Sequence, residues 1–117
     1  MLDLSKLAAA LETKHEVIHP TLGRTGWVVS LAGDDHPATK DAVRRMLDKR
    51  GRRKHSSPEQ DEQDGLDLLA ARTLGWEGLN AEYSDAKARE VFSMEGMSWL
   101  RRQLLEAMGD EAGFFAK

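Results

Sequence analysis

The sequence predicts an α+β domain, mostly helical, in which an N-terminal β-hairpin packs on about four helices. Three observations carry this. The strand formers Val17, Ile18, Trp27, Val28 and Val29 flank a Pro- and Gly-containing stretch, residues 20–26. From Ala38 onward, apolar residues recur at three- and four-residue spacing, the period of an amphipathic helix. Ser57, Pro58 and Gln60, and later Ser84, supply helix-start chemistry. A chain of 117 residues fits one domain, 1–117, with a single modest core.

The elements follow in order. Leu2, Leu4, Leu7, Ala8 and Leu11 fall roughly on one helical face, so 2–11 reads as a short helix. The hairpin comes next, and a lone two-stranded hairpin is marginal in water. It must pack on the helices or gain a partner strand from another subunit. Asp34, Asp35 and Pro37 suit a helix N-terminus. Ala38, Ala42, Val43, Met46 and Leu47 then form the inner face, with Lys40, Arg44, Arg45 and Lys49 largely outside and Gly51 fraying the end. Residues 49–64 are polar throughout and read either as a flexible charged segment or, in part, as the start of the next helix.

Ser57 with Gln60 has the form of a capping box, and Leu66, Leu69, Ala70 and Leu74 lie on one stripe that Gly75 stops. A turn covers 75–85. Ser84 caps a short helix bearing Ala88, Val91 and Phe92, which Gly96 ends. Met97, Leu100, Leu104, Leu105 and Met108 form the stripe of a last helix, with Arg101, Arg102 and Glu106 around it. No internal repeat or sustained heptad pattern is present, which argues against a solenoid or a coiled coil.

Composition narrows the function. No apolar run approaches the roughly 20 residues of a membrane-spanning helix, and residues 1–15 lack the pattern of a signal peptide. The expectation is a soluble protein that stays inside the cell and has no membrane partner. With no cysteine, disulfides, thiol chemistry and thiolate metal ligands are excluded. The net charge of −3 conceals two opposed blocks: residues 40–54 carry eight Lys or Arg against Asp41 and Asp48, and 59–67 carry five acids and no base. Such neighbours pair within the chain or with another copy.

His15 and His19, four apart, would face one side of a strand as two imidazoles of a metal half-site, but no third ligand stands at a useful spacing; packing histidines are the plainer reading. His36 and His55 sit in charged loops. The Ser and Thr residues occupy capping positions rather than a strand-turn-helix elbow, so no enzyme is expected and no catalytic, metal or cofactor residue is assigned. Residues 49–55 are basic enough to touch phosphates, but they lack interleaved aromatics and run into the acidic block, which argues against nucleic acid. No phosphate-binding glycine motif occurs. Trp27, Trp76, Phe92, Trp99, Phe114 and Phe115 are many large rings for a small core; Trp76 and Phe92 are read as core, and Trp99, Phe114 and Phe115 as interface candidates.

The C-terminal part of the sequence, from Gly75, resembles the tail assembly chaperones of long-tailed bacteriophages. Gly75, Trp76, Gly78, Tyr83, Ser84, Trp99, Asp110 and Phe114 occupy the places of that family's GW-G turn, Tyr/Phe-Ser helix start, aromatic-containing helix and Asp-X-X-X-Phe-like end. A hairpin ending in a Trp-containing strand, followed by Gly33, Asp34 and Asp35, is similar too. The resemblance implies a helix-rich protein of the host cytoplasm that self-associates into a ring or spiral. It implies binding to the tape measure protein, contact with the tail tube protein through a frameshift-extended form, and absence from the mature virion. It requires no cofactor. The interface expected is the hairpin edge at Trp27, Val28 and Val29, the charged blocks with Arg52 and Arg53 packing head-to-tail between copies, and Trp99, Phe114 and Phe115. The alternatives are a small DNA-associated regulator using 40–54, or another phage head–tail structural protein.

Overall fold

The structure, a computed structural model, describes residues 2–52, 55 and 57–114. The order of elements is β1 (Glu12–His19), β2 (Gly23–Ala32), α1 (Pro37–Arg52), α2 (Pro58–Arg72), β3 (Thr73–Glu77), α3 (Asp85–Ser93) and α4 (Ser98–Gly109), with 3-10 turns at Leu4–Lys6 and Glu111–Phe114. The α+β class and the hairpin with four helices are as the sequence predicts. The sheet, however, has three antiparallel strands in the order β1-β2-β3.

The third strand is the main departure from the sequence reading. Leu74 does not continue the α2 stripe. Thr73 ends the helix, its backbone N–H bonding Ala70 and its hydroxyl donating to the Leu69 carbonyl at 2.9 Å. The chain then pairs with β2, setting Trp76 beside Val29 and Gly75 beside Ser30. The partner strand that a hairpin needs thus comes from the same chain, not from another subunit. Five residues including a glycine carry almost no strand pattern, and the unpaired backbone of β2 decides their state.

The hairpin is irregular at one point. Val17 of β1 stands opposite Thr25, Gly26 and Trp27, where the register shifts. The Thr25 hydroxyl donates to the Val17 carbonyl at 2.7 Å, the Gly26 N–H reaches the Glu16 carboxylate at 3.2 Å, and Gly26 takes φ +76°. A bulge of this kind bends the strand and re-aims the next side chain, here Trp27, into the core.

The helices cover one face of the sheet. Val17, Trp27, Val29 and Leu31 meet Leu69 and Ala70 of α2, Ala88 and Phe92 of α3, and Leu100, Leu104 and Met108 of α4. Each fully buried Leu or Phe contributes about 1.5–3 kcal/mol of transfer free energy, which makes this cluster the dominant stabilising contact. Ser57 and Gln60 form the reciprocal capping box of α2, and Ser84 caps α3 by accepting from the Lys87 N–H at 3.0 Å. α4 has no side-chain cap; Arg101 instead donates to the Phe92 carbonyl at 2.6 Å and ties α4 to the end of α3.

α1 stands apart. It packs against α2, buries only Thr39 and Ala42, and continues through Gly51, which does not fray it. Asp34 is drawn to Arg72 of α2 at 3.3 Å, and the His36 ring nitrogen accepts from the Ala38 N–H in the capping place. With α1 off the sheet, the radius of gyration is 15.6 Å, against about 13 Å for a compact chain of this length.

The expected helix at 2–11 is reduced to one 3-10 turn, because no surface covers its leucine face and so short a helix does not hold alone in water.

Two glycines test this account. A Cβ on Gly78, at φ +83°, would collide with the Gly26 carbonyl oxygen, whereas one on Gly65 in α2 meets nothing within 4 Å. In urea denaturation, Gly78→Ala is expected to destabilise by more than about 2 kcal/mol, and Gly65→Ala to stabilise by about 1 kcal/mol.

Candidate protein-interaction surface

The structure distributes the expected interface residues unevenly. Trp27 and Val29 are core residues, and β2 has a strand on either side, so the stretch Trp27, Val28 and Val29 is not an exposed edge. β3 occupies the place where a partner would pair. Phe114 is also buried: its ring packs over Gly33, and its carbonyl accepts from the Ala10 N–H at 2.6 Å. Trp99 is half-buried and meets the His19 ring edge-on, with centroids 5.0 Å apart. Arg52 is exposed at the end of α1. Arg53 and Phe115 lie outside the described residues.

His15 and His19 do share one side of β1, and both face α4. His15 Nε2 lies 2.8 Å from the Gln103 Oε1, and His19 Nδ1 accepts from the Thr21 and Leu22 N–H groups, organising the hairpin turn. Among the described residues no group of three His, Asp or Glu side chains is placed to hold a metal ion.

The opposed charge blocks fold back on each other. Lys49 of α1 reaches Asp67 of α2 at 3.6 Å, and Arg50 reaches Asp64 at 3.4 Å, where the carboxylate is 2% exposed. Asp67 also accepts from Gln63 at 3.0 Å and from Arg89 of α3 at 2.6 Å, joining three helices. Partial burial pushes the Asp67 carboxyl up. The hydrogen bonds from Gln63 and Arg89 and the charges of Arg89 and Lys49 outweigh it, and the group ionises below its usual range. The inner charges of both blocks are thereby engaged within the chain rather than open for head-to-tail packing. Glu59, Asp61 and Glu62 remain on the surface, and among the described residues they make no ion pair.

The outer edge of β1 is closed at two places. The Gln103 side-chain amide accepts from the Ile18 N–H and donates to the Ile18 carbonyl, both at 2.8 Å, in the manner of a neighbouring strand. Nearer the start of β1, the Thr13 hydroxyl donates to the Gly113 carbonyl at 2.9 Å. Strand addition, a common route to assembly, is obstructed there.

Exposed apolar groups gather elsewhere. Leu2 and Leu4 are 80% and 81% exposed, with Leu7 and Leu11 also open; Ile18 and Leu22 are exposed at the end of β1 and in the hairpin turn; Leu47 is 58% exposed on α1. Thr39, Val43 and Leu47 line an open, largely apolar groove of about 420 Å³ along α1, rimmed by Asp34, Lys40, Arg44 and Asp48. Sequence periodicity signalled the leucines of 2–11 and the α1 stripe but assigned both to helix packing. Gln103 carried no signal, since one glutamine on a helix says nothing about what it caps. The exposed apolar area is shallow and spread over several elements.

Compared with protein-family models, curated proteins and solved structures, the chain matches none.

Because the folded-state ionisation of Asp67 is lowered, its contribution to stability is complete above the unfolded-state range near 3.9 and is lost as pH falls through the folded value. Calorimetry from about pH 6 to 2 is expected to show Asp67→Asn less stable than the parent above about pH 5 and the two curves converging in acid.

Proposed function

We propose that this chain is a tail assembly chaperone of long-tailed bacteriophages, acting without catalysis. It self-associates and binds the tape measure protein in the cytoplasm of the bacterial host, reaches the tail tube protein through a frameshift-extended form, and is absent from the mature virion. The observation that carries the reading is the block Gly75, Trp76, Gly78, Tyr83 and Ser84, the part of the resemblance with the densest motif. In the fold these residues form one packed unit. Trp76 lies edge-on to Trp27, Tyr83 and Phe92, the Tyr83 hydroxyl donates to the Thr73 carbonyl at 2.9 Å, and Ser84 caps α3.

The exposed leucines lend support of a different kind. A tape measure is a long helix with an apolar face, and many copies of a domain with open Leu groups cover such a rod by individually weak, multivalent contacts. The DNA-associated alternative is disfavoured because Lys49 and Arg50, in the middle of the basic segment, already face Asp67 and Asp64.

Light scattering after size exclusion, over a range of protein concentrations and with a co-expressed tape measure fragment, tests the reading. The expected result is concentration-dependent oligomers that keep the fragment soluble. A fixed monomer that leaves it insoluble overturns the proposal, and salt-sensitive duplex binding would then favour the regulator.

A further inference from the structure

One apolar segment of this chain is uncovered and one apolar groove lies open towards Leu47, and the two are close together. The segment is 2–11. Its leucines follow helical spacing and Ala8, Ala9 and Ala10 favour a helix, but it forms only the 3-10 turn Leu4–Lys6. The groove is the α1 stripe Thr39, Val43 and Leu47, and it begins at Asp34, next to Gly33, whose N–H bonds the Leu11 carbonyl at 2.7 Å. The Thr39 hydroxyl is buried there and has no hydrogen-bond partner among the described residues. Within the single chain the segment leaves the body at Ala10 and does not enter the groove, so Leu2 and Leu4 stay at 80% and 81% exposure and Leu47 at 58%.

We propose that residues 2–9 of one copy dock, as a short helix, in the α1 groove of a second copy, the two copies exchanging arms reciprocally. The chemistry of the two surfaces selects this occupant. Leucines meet a Val–Leu stripe, and helix-in-groove contact supplies the burial that the arm lacks alone. The charges also match. Asp3 on the arm is complementary to Lys40 on the groove rim, which among the described residues makes no ion pair. Reciprocal exchange about a two-fold axis satisfies both arms and both grooves at once. With the β1 edge obstructed by Gln103 at Ile18, strand addition at that point does not compete with this contact. The inference deepens the self-association in the proposed function and rests on that part of it alone.

The absence of native cysteine makes disulfide trapping unambiguous. Copies carrying only Leu4→Cys are mixed with copies carrying only Leu47→Cys and oxidised under mild conditions. The expected product is the mixed dimer, one copy of each variant joined by a disulfide, in excess over both like pairs. A doubly substituted chain is expected to yield dimers rather than an internally closed monomer. Leu47→Glu, at an exposed position that leaves the fold and its circular dichroism unchanged, is expected to weaken self-association about tenfold by placing an unpaired charge in the contact. No preference for the mixed dimer, closure within one chain, or unchanged association of Leu47→Glu overturns arm exchange. Should the copies still associate by light scattering in that case, the chaperone reading survives; a strictly monomeric protein defeats both.

Discussion

Gly26 and Gly78 come from opposite halves of the sequence, and their backbones approach so closely that no side chain fits between them. Much of the fold depends on that contact. It holds the turn after β3 against the bulge in β2, and the bulge is what directs Trp27 inward. Trp76 can then meet Trp27 edge-on, with centroids 5.6 Å apart, and join Tyr83 and Phe92 in one aromatic cluster. Such clusters stabilise beyond the area they bury, because ring quadrupoles favour edge-to-face geometry. A backbone approach of this kind also fixes the register of β3, which its own five residues specify weakly.

Around this rigid centre the protein is asymmetric. The sheet, α2, α3 and α4 share a core, whereas α1 is held mainly by one neighbouring helix and by Lys49 and Arg50 facing Asp67 and Asp64. Asp67 carries Arg89 as well, so the attachment of α1 is coupled electrostatically to the packing of α2 on α3. The result is a firm body bearing an open helical surface. Surfaces of that kind suit contact with other helices, which is the chemistry the proposed function requires.

The handling of strand edges points the same way. A three-stranded sheet has two edges, and Gln103 imitates a strand at Ile18 while the Glu111–Phe114 turn covers the start of β1. His15 shares the Gln103 oxygen, which fixes the orientation of the amide. Obstruction of the β1 edge disfavours strand addition there, while the exposed leucines lie on other elements.

The sequence by itself determined the fold class, the hairpin, the starts of α2 and α3 and the apolar faces of α2 and α4, because caps and periodicity act within a few residues and are written locally. It also marked Phe92 as core, and with it Trp76, which is half-buried against that core. Only the tertiary structure decided that Thr73–Glu77 is a strand, that Trp27, Val29 and Phe114 are interior, and that Gln103 guards an edge. Each of those outcomes depends on a partner distant in sequence: the unpaired backbone of β2, a glycine across the fold, a peptide group on another element. The leucines of 2–11 show the same rule in reverse. Their spacing is that of a helix, but helical order in so short a segment needs a surface to bury against, and a single chain does not provide one.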